Sequence, residues 1–440
     1  EYKGLQALGH DREWHDRYDA TCTEDGYYRS YWVCKREGCG YTSKEDRYVE
    51  SALGHLLKHC DAKQADCLPG WEAYDECQRE GCGYNTKVEI PANGKHSYVC
   101  DVCTTCQGIN PVKYTREGNY IYFGYWPQTL ERDETVVAKL NEMAGKPPLP
   151  RDKENPYNWE SHEGTTYMWQ KIVIYNGTKY LGVQMNDYRA SGVYSLRSYI
   201  MKNGYFTFEV YWFKYEPIKW RILTTSGNSA FIMSDIALDS FSIQPDRKGE
   251  NRDGLYASYN NSTGVLDGTY ANNWEYCFLR QWLNETFYNE VFNKLQKEII
   301  QTTHLDNTAR SSNPNDYPKY YGYGEKAGKN KFADQCKDTD DKIFLLSLRD
   351  ITTTAYGFNK DVLAEDPARN LQATDFAKLH GAPMNTNDKK YVTWYTRSPA
   401  PANGNQGYAT FVLDRHAKGA IDSIDLTPDG GVVPALWITL

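Results

Sequence analysis

Two stretches decide the reading of this chain: Cys34-Lys35-Arg36-Glu37-Gly38-Cys39-Gly40-Tyr41 and its recurrence as Cys77-Gln78-Arg79-Glu80-Gly81-Cys82-Gly83-Tyr84. Each is a Cys-x4-Cys-Gly turn. It places two thiols on one tight loop, with glycine letting backbone N–H groups face sulfur, as a zinc knuckle requires. Working outward, Ala7-Leu8-Gly9-His10 recurs as Ala52-Leu53-Gly54-His55. Cys22 and Cys67 follow those histidines at equal distance, so the repeat has a period of 45 residues.

Three Cys and one His per repeat complete a tetrahedral site. The sequence admits two frames, His10-Cys22-Cys34-Cys39 or Cys22-Cys34-Cys39-His55. The second is adopted because it leaves His10 as the remnant of an earlier unit at a processed end, and its two full sets are Cys22, Cys34, Cys39 and His55, then Cys67, Cys77, Cys82 and His96. The inferred cofactor is structural zinc. The alternative is a disulfide framework, which needs no histidine but must pair an odd number of Cys per repeat across repeats or with Cys60, Cys100, Cys103 and Cys106. The His96-Cys100-Cys103-Cys106 cluster reads as either a third metal site or a disulfide knot. In every case the cross-links hold pieces too small to bury enough apolar area alone.

Ten of the 12 cysteines precede Gln107, so this chemistry is local to the N-terminal part of a 440-residue chain. A net charge of −8 gives no sequence-wide attraction to nucleic acid or anionic membrane. No apolar run reaches the length of a membrane helix. Glu1-Tyr2-Lys3-Gly4 carries neither an initiating Met nor an export signal, which is how a processed mature protein would open. The 37 Tyr and 12 Trp suit both secreted binding proteins and ordinary β-rich cores.

From Tyr120 the pattern changes to short β-rich segments, Tyr120–Tyr125, Ile172–Tyr175 and Trp220–Leu223, separated by turn residues. Helical spacing predicts a helix over Val136–Met143 ending at Gly145, and another over Trp274–Ile300. Asp306–Asp341 reads as a long loop. The expected organisation is a Cys/His module at 1–56, a second with the extra Cys cluster at 57–112, and one large domain at 113–440.

Over Tyr120–Leu440 the chain resembles an uncharacterised domain family of secreted bacterial proteins that is distantly similar to the C-type-lectin and formylglycine-generating-enzyme fold. Seven ordered blocks carry the resemblance: Phe123–Gln128, Glu216–Leu223, Ser234–Asp239, Trp274–Asn284, Asp341–Ser347, Trp394–Pro399 and Gly431–Trp437. The chain departs from the family at Thr396, where Leu is usual, and at Val433, where Arg is usual. The N-terminal repeats resemble short Cys-rich units of secreted surface proteins of anaerobic bacteria, most clearly at Thr21-Cys22-Thr23-Glu24-Asp25-Gly26-Tyr27. The resemblance implies an α+β, C-type-lectin-like large domain behind two zinc-ribbon-like modules. It also implies that the Trp394 and Gly431 blocks are neighbouring strands, with Ala400–Asp429 looping out as the ligand region. The candidate binding residues are then Trp394, Arg397, Asn403, Asn405, Gln406, Tyr408, Asp414, Arg415 and His416.

Each candidate also has a plain structural reading. Arg397 could pair with a carboxylate such as Glu275. Asp338, Asp340 and Asp341 lack the Gly turn and terminal Glu of a calcium loop and read as a solvated acidic turn. His304 and His380, like His416, stand isolated in the sequence, and no Ser/His/Asp order emerges. Cys277 and Cys336 read as a disulfide or packed thiols, whereas an oxidase of the formylglycine-generating type would need them reactive. The expectation is a secreted or cell-surface, non-catalytic protein whose Cys/His units support a domain that binds carbohydrate or protein. The rival readings are a self-associating subunit of a filament or surface layer, and the oxidase.

Overall fold

The computed structural model describes residues 9–149, 152, 154–161, 168–186, 197–241, 257–260, 265–268, 274–307, 337–361, 364–385, 390–400, 409–413, 421–425 and 430–440. The chain divides into two compact units, one formed by Glu1–Ser97 with Cys103–Gln107 and the other by Tyr98–Val102 with Gly108–Leu440. Both Cys/His modules therefore share one compact unit.

Each module is built from two very short antiparallel pairings. In the first, β1 (Arg12–His15) pairs with β3 (Tyr31–Cys34), and β2 (Gly26–Tyr27) pairs with β4 (Val49–Glu50). The second repeats this, β5 (Leu57–Cys60) with β7 (Tyr74–Cys77) and β6 (Gly70–Trp71) with β8 (Glu89–Ile90). Such small pieces enclose almost nothing. Among the described residues of this unit, the buried hydrophobic side chains are Ala20, Tyr27, Cys34 and Cys103. Four side chains are far too few to offset the entropy of ordering roughly a hundred residues, so the unit needs cross-links.

The second unit has a core of the ordinary kind. A nine-stranded antiparallel sheet runs in the order Glu160–Ser161, Met168–Tyr175, Thr178–Met185, Val210–Ser226, Ser229–Ser234, Pro434–Thr439 and Phe344–Leu345. Tyr120–Leu130 pairs with the other side of the long Val210–Ser226 strand, and Thr115–Glu117 pairs with Tyr120–Leu130. Period-two alternation along that strand sends Trp212 to one face and Phe213 to the other. The Trp212 face is covered by the helix Glu134–Ala144, which buries Leu140 and Ala144. Asp133 caps this helix by accepting the N–H groups of Thr135 and Val136, and Gly145 ends it at φ 66°. The helix predicted over Val136–Met143 is thus present.

The opposite face carries the main core, with Trp220, Trp274 and Trp394 fully buried. Each removes on the order of 200 Å² from water, about 5 kcal/mol of gross transfer free energy. Their indole N–H groups donate to Phe123 O at 3.0 Å, Asp341 Oδ2 at 2.8 Å and Arg369 O at 3.0 Å, so no buried donor is orphaned there.

Three expectations are corrected. Trp274–Ile300 is not one helix: a 3-10 turn at Trp274–Tyr276 precedes a continuous helical run from Phe278 to Val291 that is π-wound over Leu283–Phe287, and after the break at Phe292 a short turn Lys294–Lys297 follows. Cys277 and Asn293 are N-caps inside the predicted span, and Phe292 is extended at φ −109°, ψ 129°. Apolar spacing alone does not register such interruptions. In Asp306–Asp341, Thr339–Asp341 pairs as a strand with Thr303–Leu305, and residues 308–336 lie outside the described residues. The segment after Ala400 is not all loop either: Tyr395–Ala400, Ala409–Leu413 and Ile421–Asp425 form a three-stranded sheet. Within the same region Trp394 and Gly431 form a parallel bridge, so the last two motif blocks are neighbours.

Among the described residues no helix is long and apolar enough to cross a membrane.

Candidate metal centres

The local fold explains how a knuckle forms. Arg12 lies opposite Cys34 in the β1–β3 register, and Leu57 lies opposite Cys77 in β5–β7. His10 and His55, two residues before those positions, therefore reach the turn that follows each cysteine. Gly38 and Gly40, at φ 78° and 62°, wrap the first turn, and Gly81 and Gly83, at 79° and 67°, wrap the second. Only glycine enters this left-handed region without penalty. His10 Nδ1 lies 3.3 Å from Cys39 Sγ, and His55 Nδ1 lies 3.3 Å from Cys82 Sγ. The tyrosine after each knuckle stacks on the imidazole, Tyr41 on His10 at 4.4 Å and Tyr84 on His55 at 4.0 Å. These two tyrosines act as orienting platforms, a role that the repeated Cys-Gly-Tyr could have signalled in the sequence.

The third cysteine comes from elsewhere. Cys22 lies in the loop between the bridged residues Tyr18 and Tyr27, and Cys67 in the loop between Lys63 and Trp71. The β2–β4 pairing carries the chain back past Cys22 on its way to the next histidine: Leu53 N donates to Thr21 O at 2.9 Å and Ala52 N to Asp25 Oδ1 at 2.8 Å. Likewise Asn93 N donates to Asp66 O at 2.7 Å. Each of these cysteines is thereby handed forward to the following knuckle.

Three groups result, in each of which all ligand atoms lie within 4.8 Å of one another: Cys22, His55, Cys77 and Cys82; Cys67, His96, Cys103 and Cys106; and His10, Cys34 and Cys39. All eight residues singled out as metal ligands sit in these groups, but the grouping differs from the expected one. Cys34 and Cys39 do not join Cys22 and His55, and Cys77 and Cys82 do not join Cys67 and His96. The reason is that the β2–β4 and β6–β8 pairings, each within its own repeat, bring the stretch leading to the next histidine beside the Cys22 or Cys67 loop. His10, Cys103 and Cys106 were missing from the expected set. The short Cys103-Thr-Thr-Cys106 turn supplies a third knuckle, while Cys60 and Cys100 belong to no group.

The spacings suit a divalent ion. Ligands about 2.3 Å from a tetrahedral centre lie about 3.8 Å apart, and Cys22–Cys77 and Cys67–Cys103 are both separated by 3.6 Å. A disulfide needs about 2.05 Å, and none of the described cysteines is disulfide-bonded. Cys106 Sγ lies 3.5 Å from His96 Nδ1.

The thiols are electrostatically polarised. The Arg36 N–H draws the Cys34 thiol down to about 7. For Cys77, burial opposes ionisation but is outweighed by the Arg79 N–H, His55 and the Leu56 N–H, bringing it to about 6. The Cys106 N–H leads in holding Cys103 at about 5. The forward-donated Cys22 and Cys67 are instead pushed up to about 12, by burial first and then by the neighbouring thiols. A cation among the three sulfurs of a group would offset this mutual repulsion and let all three ionise.

The large unit holds a cleft of about 420 Å³ lined in part by Trp126, Phe241, Trp282, Phe376, Asp239 and His380. Asp239 Oδ1 lies 2.6 Å from His380 Nδ1, both residues being buried, so His380 is not isolated. His304 stands exposed between Asp338 and Asp340. Asp341 does not share that acidic turn: it is buried against Arg280, Trp274 and Thr339. Arg397 is buried and pairs with Asp350 at 3.0 Å, not with Glu275, and also donates to Leu345 O at 2.8 Å. Trp394 is wholly buried. These two candidates therefore face the core. Asn403, Asn405, Gln406, Tyr408, Asp414, Arg415 and His416 lie outside the described residues, as does Cys336. Cys277 is buried, caps the Phe278–Trp282 turn by accepting the Arg280 N–H, and is pushed up to about 12 by that burial. Val433 is fully buried.

Residues 228–440 match the Domain of unknown function (DUF6273). That span includes five of the seven motif blocks. No curated protein and no solved structure matches the chain.

Proposed function

We propose that the N-terminal unit is a metal-stapled spacer and that the large unit is a non-catalytic binding domain carried by it. One observation carries the first half: Cys22 and Cys67 each complete the knuckle of the following repeat. An ion held this way ties two repeats together, and with four protein ligands in the two complete groups no coordination position remains for substrate. The role is mechanical and the metal is zinc, as the thiolate-rich, tetrahedral donor set favours.

The large unit is read as a C-type-lectin-like domain of a secreted or cell-surface protein that takes carbohydrate or protein. The order of the motif blocks and the adjacency of Trp394 and Gly431 support that fold, and the aromatic-lined cleft gives a ligand a place to sit. The buried, unreactive setting of Cys277 argues against oxidase chemistry at that thiol. Native mass spectrometry tests the metal reading: zinc should leave with chelator and leave the mass unchanged by reductant. A mass that shifts only on reduction would overturn it. A panel of glycans and surface proteins presented to the full chain tests the binding reading, which fails if none is retained.

A further inference from the structure

Resting on the metal reading above, we propose that His10, Cys34 and Cys39 form an acceptor half-site whose fourth ligand is a thiolate delivered by a further Cys/His unit, so that the array is extendable at this end.

The first observation is the ligand count. Two groups hold three thiols and one imidazole, whereas among the described residues the His10 group holds two thiols and one imidazole. The chain's own forward donors are already committed, Cys22 to the His55 group and Cys67 to the His96 group. The second observation is that the half-site is otherwise fully built. Its knuckle has the same left-handed glycines, the same 3.3 Å imidazole–thiol approach and the same stacked tyrosine as the complete site at His55. Cys34 is buried, while His10 and Cys39 are exposed, so the missing direction faces solvent.

The third observation is in the sequence. Ala52-Leu53-Gly54-His55 is the stretch that runs beside Cys22, Leu53 donating to the Thr21 carbonyl. Ala7-Leu8-Gly9-His10 repeats it. The residues leading into His10 thus have the sequence of the stretch that runs beside a donor loop of the type Thr21-Cys22-Thr23-Glu24-Asp25-Gly26-Tyr27. A structural zinc site requires four ligands, and the ligand that fits this half-site is a cysteine thiolate on such a loop.

The test uses the full chain loaded with cobalt(II), whose thiolate charge-transfer absorption counts sulfur ligands. A synthetic peptide covering residues 16–30 is added, alongside the same peptide with Cys22→Ser. The expected result is a third bound ion whose thiolate absorption rises by roughly half, from two thiolates to three, with the Cys peptide only. The Cys34→Ser chain should lose this response while keeping the two complete sites. If the absorption instead rises with protein concentration and no peptide, the thiolate comes from a second copy of the chain, which also supports an acceptor half-site. A third ion that already shows three thiolates in the dilute chain, or one indifferent to the peptide, would overturn the inference and leave the two complete sites standing. Binding of no cobalt at all would remove the metal reading together with it.

Discussion

The Sγ of Cys22 lies 3.6 Å from the Sγ of Cys77 although 55 residues separate them in the chain. Cys77 belongs to the next repeat, so the contact joins two modules whose unit has few buried hydrophobic side chains among the described residues. On the proposed reading, metal ions held by such groups stand in for a hydrophobic core, and their loss should be felt across module boundaries.

Replacing Cys22 with Ser should weaken metal binding at the His55, Cys77 and Cys82 site and leave that at His10, Cys34 and Cys39 unchanged. Loss of a supporting second-shell group costs roughly 10- to 100-fold in affinity, so loss of a direct ligand should exceed that. Competition titration with a chromogenic chelator on the Cys22→Ser and Cys34→Ser chains reads the difference. The pattern is wrong if Cys34→Ser weakens the same site as Cys22→Ser.

Asp341 Oδ1 receives Arg280 at 2.7 Å while Oδ2 receives Trp274 and Thr339, all at a buried position. Truncation to Ala leaves buried donors and a charge without partners, a loss of about 3–5 kcal/mol. Urea unfolding of the Asp341→Ala chain measures it, and a change below about 1 kcal/mol would show that this network is not structural.

Much of this architecture can be read from the sequence, and the limits have physical causes. The knuckles were legible because Cys-x4-Cys-Gly fixes its own turn, and the strands at Tyr120, Ile172 and Trp220 because alternation is local. The ligand partners were not, because the two-residue strands Gly26–Tyr27 and Val49–Glu50 are too short to show any periodicity, yet their pairing decides where Cys22 goes. Arg397 likewise gives no hint of Asp350, since the pair is made by folding Leu345–Leu346 against the Tyr395–Ala400 strand.

Gly124 has φ 69°, and an added Cβ would meet Val291 and the Phe292 ring at 2.6 and 2.7 Å. Gly124→Ala combines a left-handed backbone penalty of about 1–2 kcal/mol with overpacking of about 1–3 kcal/mol. Thermal unfolding should show a clear fall in Tm, whereas the exposed and unobstructed Gly177→Ala should show only the smaller backbone effect.

Burial tends to raise the Asp375 carboxyl, but the Leu130 N–H, Lys378 and Arg132 together hold it below its ordinary value. A depressed folded pKa contributes stability that is present above the unfolded value of about 3.9 and is lost as pH falls through the folded value. Unfolding free energy measured from pH 7 down to pH 3 should therefore drop towards the acid end, and Asp375→Asn should flatten part of that drop. An identical acid slope in both chains would show that Asp375 is not a contributor.

Cysteines handed forward between repeats would each share an ion with the thiols of the following knuckle. The most direct measurement is a cadmium-113 to cysteine-Hβ correlation spectrum of the cadmium-loaded chain with assigned cysteines, because it reports which thiolates share one ion. The expected spectrum couples one cadmium to Cys22, Cys77 and Cys82 and another to Cys67, Cys103 and Cys106. A cadmium coupled to Cys22, Cys34 and Cys39 would contradict it.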